Sequence, residues 1–336
     1  MVRNRNINRL LVIASFLMLV MLVLSCNSKK EYITSSGSVF GTVYNITYQS
    51  DKDYTEEISQ TLQDVDNSLS PFNKNSIITK INNNQDTLLN EHFISVYTLA
   101  MKVSEDTDGA FDITVAPLTN VWGFGFKNNT QPTKEQVDSL LQFVGYKKVS
   151  LEGKTVVKQN PGIMLDCSAI AKGYGVDAVA NMLTAKGVEN FLVEIGGEIV
   201  TKGVSPRGTD WRIGIVKPVD DPLNQSKEMQ QMLDVHDVAM ATSGNYRNFY
   251  IADDGKRYAH TIDPRTGYPI QHNILSATVF GPTCAVADAY ATAFMVGGFE
   301  KAKEILERHP EFMAYLIYSD DKGQNKVWHS PKLKVE

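Results

Sequence analysis

Hydrophobic and polar positions follow two different periods along this 336-residue chain. Ile58, Leu62, Val65 and Leu69 recur at the spacing of one helix face. Val39 to Gln49, rich in Val, Tyr, Ile and Thr, reads as a strand, as do Phe191–Ile195 and Trp211–Val216. Asp254-Gly255, set between Phe249–Ala252 and Arg257–Ile262, predicts a hairpin. Thr133 and Gln136 form a capping box ahead of Val137, Leu140, Leu141 and Val144, with Gly145 positioned to end that helix. Ala285 to Val296 predicts a helix of small residues ended by Gly297-Gly298. Hairpin-linked strands and separate helical runs predict an α+β fold of antiparallel sheets with packed helices, not a doubly wound parallel sheet.

The N-terminus carries a different pattern. Arg3, Arg5 and Arg9 precede a 15-residue apolar run, Leu10 to Leu24, broken only by Ser15. A membrane span needs about 20 residues, so this length suits a signal peptide. The run ends Val23-Leu24-Ser25-Cys26, which resembles a bacterial lipobox with Cys26 as the lipidated, palmitate-bearing first residue of the mature chain. The plainer alternative is an N-terminal anchor with an incidental cysteine. The expected organisation is a signal peptide over 1–25, a lipidated polar tether over 26–36 and one globular domain over 37–336.

Composition narrows the function classes. Without residues 1–25 the chain has 30 basic against 38 acidic side chains, a net charge of -8. No basic stripe is present, which argues against nucleic-acid binding. Cys167 and Cys284 are too few for a disulfide scaffold or a four-cysteine zinc site and read as buried, inert thiols. No Walker A loop occurs, and no G-x-G-x-x-G links a strand to a helix.

Five segments carry candidate chemistry, each with a plain structural alternative. Gly109 to Thr114, running on to Trp122-Gly123-Phe124-Gly125, offers small residues for close backbone approach and aromatics for stacking, or simply a buried turn. Leu165 to Asp177 puts Asp166, Ser168 and Lys172 where a strand gives way to a helix. That is an anion site, or an N-capping Ser168 with a surface lysine. Glu194-Ile195-Gly196-Gly197-Glu198 pairs two acids around glycines at a strand end. Ala241 to Tyr246 and His260 to Pro269 form the fourth, with His260 leading into a tight Asp-Pro, Thr-Gly turn and suited to acid/base or phosphate work. Asp288 and Thr292 share one helix face among alanines and suit a hard cation that also holds phosphate oxygens. Otherwise Thr292 bonds back to its helix and Asp288 is solvated.

Taken together, GAFDITVAPLTNVWGFG, LDCSAIAKGYGVD, FLVEIGGEI, ATSGNY, HTIDPRTGYP and ADAYATA resemble, in order and spacing, the ApbE family of FAD:protein FMN transferases. The resemblance runs from about Gly37 to the end of the chain. It implies a T-fold-like α+β domain. It implies FAD contacts from Phe40, Phe72, Ala110, Phe111, Asp112, Asp166, Lys172, His260, Ile262 and Asp263, and Mg²⁺ held by the Ala169 carbonyl, Asp288 and Thr292. The family often has Met at the Phe40 position and Trp or Tyr at the Phe72 position, and it varies at Cys167 and Ala169. None of these departures removes a charged group. The implied reaction moves FMN from FAD to a Thr or Ser hydroxyl of a target protein and releases AMP, with His260 and Asp288 as the catalytic candidates. The implied acceptors are subunits of membrane redox complexes, met by a periplasm-facing lipoprotein at the inner rather than the outer membrane. Two other readings remain open from sequence: an FAD pyrophosphatase giving FMN and AMP, and a non-enzymatic FAD-binding lipoprotein.

Overall fold

A computed structural model describes residues 31–125, 131–218, 228–245, 249–251, 257–320 and 322–335. The apolar run at 10–24, Cys26, Tyr246 and the Asp254-Gly255 turn lie outside the described residues. No helix among the described residues is long and apolar enough to cross a membrane.

The chain begins with β1 (Glu31–Val39) and β2 (Thr42–Ser50), then α1 (Thr55–Leu69), α2 (Ile77–Asn82), α3 (Glu91–Asp106), α4 (Ala116–Val121) and α5 (Lys134–Leu141). Next come β3 (Val149–Glu152), β4 (Thr155–Lys158), α6 (Ala171–Ala185), β5 (Phe191–Ile195), β6 (Glu198–Lys202), β7 (Trp211–Val216) and β8 (Met229–Val235). β9 (Ala239–Gly244), β10 (Phe249–Ile251), β11 (Arg257–Ala259), β12 (Ile274–Gly281), α7 (Cys284–Arg308), β13 (Met313–Ser319) and β14 (Asn325–His329) complete it. Eight strands form one antiparallel sheet in the order β1-β2-β5-β6-β9-β12-β13-β14. The α+β expectation is met.

The period of two in the strands decides which layer covers which face. On β12, Ala277 and Val279 enter the main core beneath the helices, while Phe280 enters a second core with Trp211, Ile213 and Leu233 of the β7–β8 hairpin. α6 lies over β5 and β6, and α7 lies over β9 and β12. The alanines of α7 let it sit close to both the sheet and α6. A Cβ on Gly173 of α6 would stand 2.4 Å from the Cys284 carbonyl oxygen, so only glycine permits this crossing. A third, small core gathers Leu118, Trp122, Val137, Val144 and Ile262.

Four details differ from the sequence reading. Residues 31–36 were expected in the tether but belong to β1, paired with β2 from Glu31↔Ser50 to Val39↔Thr42. An edge strand is held by its backbone ladder, and β1 buries only Ser35 outright, so its composition reads as polar linker. The strand expected over 39–49 is broken by a two-residue turn in which Phe40 (φ 52°) and Gly41 (φ 73°) are both left-handed. Gly145 does not end α5, which caps at Gln142. It instead opens the short turn at Tyr146–Lys148. Gly298 (φ 80°, ψ 178°) breaks the helical backbone where Gly297-Gly298 was expected to end it, but a second helical stretch follows at once and carries α7 on to Arg308, and His272 Nε2 donates to the Val296 carbonyl beside the break at 3.2 Å.

Candidate flavin and metal site

The N-terminus of α6 has no capping side chain of its own. Ser168, one candidate for that task, instead gives its backbone N–H to Asp166 Oδ1 at 2.8 Å, and the helix starts at Ala171. The missing cap comes from across the fold: Gly173 N–H donates to Asp288 Oδ2 of α7 at 3.0 Å. The favour is returned. Asp177 of α6 accepts from Cys284 N–H (2.9 Å) and Ala285 N–H (2.8 Å), the first amides of α7. Each helix thus closes the other's orphan donors with a carboxylate. Burial pushes Asp177 up to about 6, against the lowering effect of those two bonds.

This exchange leaves acceptors open. In a regular helix start the Gly173 N–H would bond the carbonyl four residues back, that of Ala169. Since it points to Asp288, the Ala169 carbonyl receives no hydrogen bond among the described residues. Asp288 Oδ1 likewise receives none, although Asp288 is only 2% exposed. One helical turn on, Thr292 Oγ1 lies 3.1 Å from Ser243 Oγ of β9. A carbonyl, a carboxylate oxygen and a hydroxyl are the hard oxygen donors that Mg²⁺ takes alongside phosphate and water, so the residues present fit that ion. Among the described residues no three His, Cys, Asp or Glu side chains gather into a metal cluster, so any such ion would rest on a sparse protein shell.

Lys172 stands beside these donors. Its Nζ donates to Glu198 Oε1 at 3.0 Å. Burial acts to lower its pKa, but the charges of Asp288 and then Glu198 outweigh that and hold the ammonium above its ordinary value. The cation is part exposed, at 28%, while Glu198 behind it is 2% exposed. The two acids of the Glu194–Glu198 motif therefore do different work. Glu194 accepts from Gly197 N–H (2.8 Å) and Asn45 Nδ2 (2.9 Å), pinning the β5–β6 turn.

The remaining segments are stitched to this seam. Asp166 N–H donates to the Ile113 carbonyl at 2.7 Å, joining the first and second motifs. Asp112 accepts from Thr114 N–H, Thr114 Oγ1 and Tyr146 N–H at 2.7–2.8 Å. Its burial raises its pKa despite those bonds. Ala110, Phe111 and Ile262 are buried. The buried side chains of Ala110, Phe111, Asp112 and Ile262 thus shape the loops. Asp263 takes a two-pronged bond from Arg265 Nε and Nη2, both at 2.8 Å, and its carbonyl accepts from Gly267 N–H, so the turn is rigid. Trp122 Nε1 reaches the Gly267 carbonyl at 2.8 Å, and the Phe124 ring meets the His260 ring edge-on with centroids 6.4 Å apart. His260 follows β11 directly. Phe40 packs on α6, where a Cβ on Gly175 would come within 2.6 Å of its ring. Phe72 is 66% exposed on the turn after α1. Cavities of about 370 Å³ (Ile81, Lys158, Pro161) and 310 Å³ (Asp108, Tyr146, Lys148) are lined by none of Lys172, Glu198 and Asp288. Burial pushes both the Cys167 and Cys284 thiols well up, as inert cysteines require.

Sequence reasoning named most of these residues but missed Asp177, Ser243 and the Glu198–Lys172 pair. Asp177 lies 107 residues from Cys284, Ser243 lies 49 from Thr292, and Glu198 lies 26 from Lys172. The only advance signal was that each falls inside one of the quoted motifs.

The fold is an antiparallel α+β domain in which two helix starts meet beside a half-buried lysine, two buried carboxylates and open oxygen donors. The ApbE family model matches residues 40–317, and the chain belongs to the ApbE family. A FAD:protein FMN transferase of Vibrio cholerae is 38% identical over 327 residues, covering 94% of this chain and 95% of that protein. One from Haemophilus influenzae is 37% identical, covering 89% and 90%. Among solved structures, the flavin transferase ApbE from Vibrio cholerae matches with a TM-score of 0.80 at 36% identity, covering 90% of this chain and 98% of that one.

Proposed function

We propose that this protein is a Mg²⁺-dependent FAD:protein FMN transferase, which flavinylates a Thr or Ser hydroxyl on subunits of membrane redox complexes. Family membership and near full-length similarity to FAD:protein FMN transferases support flavin transfer. The single observation that carries the metal assignment is the diverted Gly173 amide. It leaves the Ala169 carbonyl and Asp288 Oδ1 without a hydrogen bond among the described residues.

Mg²⁺ at Ala169, Asp288 and Thr292 would screen the FAD diphosphate and the charge developing on leaving AMP. The chain's own groups do the rest. Lys172 has two donors left after Glu198 and presents them to the phosphates. The rigid turn from Asp263 to Gly267, with Ile262 bridged to Pro269, fixes the backbone beside His260. His260 takes the proton of the attacking hydroxyl. The hydroxyl oxygen bonds to the FMN phosphorus, the phosphoanhydride bond breaks, and AMP leaves. Phe40 and Phe72 offer apolar surface to the ring systems of FAD, while Ala110, Phe111, Asp112 and Asp166 shape the loops that approach it.

Cys26 tethers the enzyme as a periplasm-facing lipoprotein of the cell membrane, after removal of residues 1–25. Tethering raises the effective concentration of enzyme at membrane acceptors. The test is to incubate the full chain with FAD, Mg²⁺ and a candidate acceptor subunit, then weigh the acceptor. An acceptor carrying FMN supports transfer. An unchanged acceptor with free FMN in solution favours FAD hydrolysis.

A further inference from the structure

We infer that Glu198 is a positioning residue that lets Lys172 and a divalent cation occupy the same small site, an inference that rests on the metal reading above. Glu198 is the first residue of β6, directly after Gly196 (φ 62°) and Gly197 (φ 103°). The turn is pinned by Glu194, which accepts the Gly197 amide at 2.8 Å, and Glu198 pairs with Ile195 across it. Its carboxylate is therefore held by a stiff hairpin. It is 2% exposed, while the Lys172 it bonds at 3.0 Å is 28% exposed. The anion lies behind the cation, on the side away from solvent.

The charge balance gives this placement a purpose. Lys172 sits in the field of two carboxylates, Asp288 and Glu198. When a divalent cation takes Asp288, that carboxylate no longer balances the ammonium. Without Glu198, Lys172 would face a divalent ion with no buried counter-charge, or would lean onto Asp288 and compete with the metal for it. Either outcome is unfavourable in a poorly solvated site. Glu198 keeps the ammonium drawn back toward β6, leaving Asp288 Oδ1 to the metal and two Lys172 N–H groups to the phosphates.

Mn²⁺ binding to the FAD-free full chain, followed by electron paramagnetic resonance, tests this without turnover. Glu198→Gln keeps the shape and removes the charge. It should weaken Mn²⁺ binding by about 10–100-fold, the range for groups that orient a metal's ligands. In a Lys172→Met background the same change should alter Mn²⁺ affinity by less than about twofold, because the competing ammonium is gone. Should Glu198→Gln alone fail to fold, the double variant decides, binding Mn²⁺ within about twofold of Lys172→Met. Unchanged affinity in Glu198→Gln, or an equal loss in both backgrounds, overturns the role of Glu198 and leaves the metal site standing. A wild-type chain that binds no Mn²⁺ and transfers FMN in a chelator overturns the inference and the metal reading together.

Discussion

The α6–α7 seam and the turn from His260 to Tyr268, both assigned to the proposed site, are built on opposite principles. At the seam, charges are buried, each helix caps the other, and Gly173 allows the two backbones almost to touch. At the turn, the charged bonds are local. Asp263 binds Arg265 two residues away, and the Trp122 indole and Gly267 lock the loop onto a five-residue satellite core. The seam fixes charge over long sequence distances, which suits a group that must hold metal and phosphate without moving. The turn stiffens the backbone that follows one histidine, through bonds within Asp263–Gly267 and one from Trp122, which suits a group that must meet a changing partner. Damage to the seam should therefore strike metal binding and chemistry together, while damage to the turn should strike one step.

The largest effect is expected from Asp288→Ala. Loss of the anionic metal ligand should reduce FMN transfer by on the order of 10⁴-fold, about 5.5 kcal/mol of barrier, and should abolish Mn²⁺ binding. Turnover and metal titration on the same preparation check both. A folded variant that retains transfer would separate the seam from the chemistry. Next comes His260→Ala, with a loss of at least about 10²-fold in turnover at saturating FAD and little change in FAD affinity by flavin fluorescence. Recovery of turnover at high FAD would make His260 a binding group and erase the contrast with the seam.

Smaller effects test the architecture. Asp177→Ala removes two bonds to the first amides of α7 and should destabilise the fold by about 1–2 kcal/mol in denaturant titration. No stability change would mean the reciprocal capping is ornamental. The smallest effect concerns His309, whose ring packs against Tyr290 of α7. Burial lowers its pKa, but bonds to Glu311 and Asp106 outweigh that and raise it. A histidine raised on folding stabilises fully below its ordinary value and loses that contribution as pH rises through the folded value. The melting temperature should fall as pH rises from about 6.5 through the raised folded value, and His309→Gln should flatten that fall, an effect below about 1 kcal/mol. An unchanged slope would place the pH dependence elsewhere.

The same contrast explains what could be read from the sequence. The capping box at Thr133 and Gln136, the helix face of α1 and the strands at Phe191 and Trp211 are local patterns, and all appear as expected. Asp288, Thr292 and Lys172 stood out as candidates because their motifs are compact. β1 was not, because an edge strand held by backbone bonds leaves no hydrophobic alternation. The Phe40–Gly41 turn was hidden because a phenylalanine at positive φ carries no turn signal. The mutual caps and the Glu198–Lys172 pair were hidden because each joins residues 26 to 115 positions apart. Spacing along a chain says nothing of which distant helix start lacks a donor's partner.

The measurement that bears most directly on flavin transfer is the ratio of AMP released to FMN bound on the acceptor, taken with and without acceptor and with Asp288→Ala as control. Flavin transfer predicts one AMP for each acceptor molecule gaining FMN, little AMP when acceptor is withheld, and neither product from the variant. Equal AMP release with and without acceptor, accompanied by free FMN and an acceptor of unchanged mass, would contradict it.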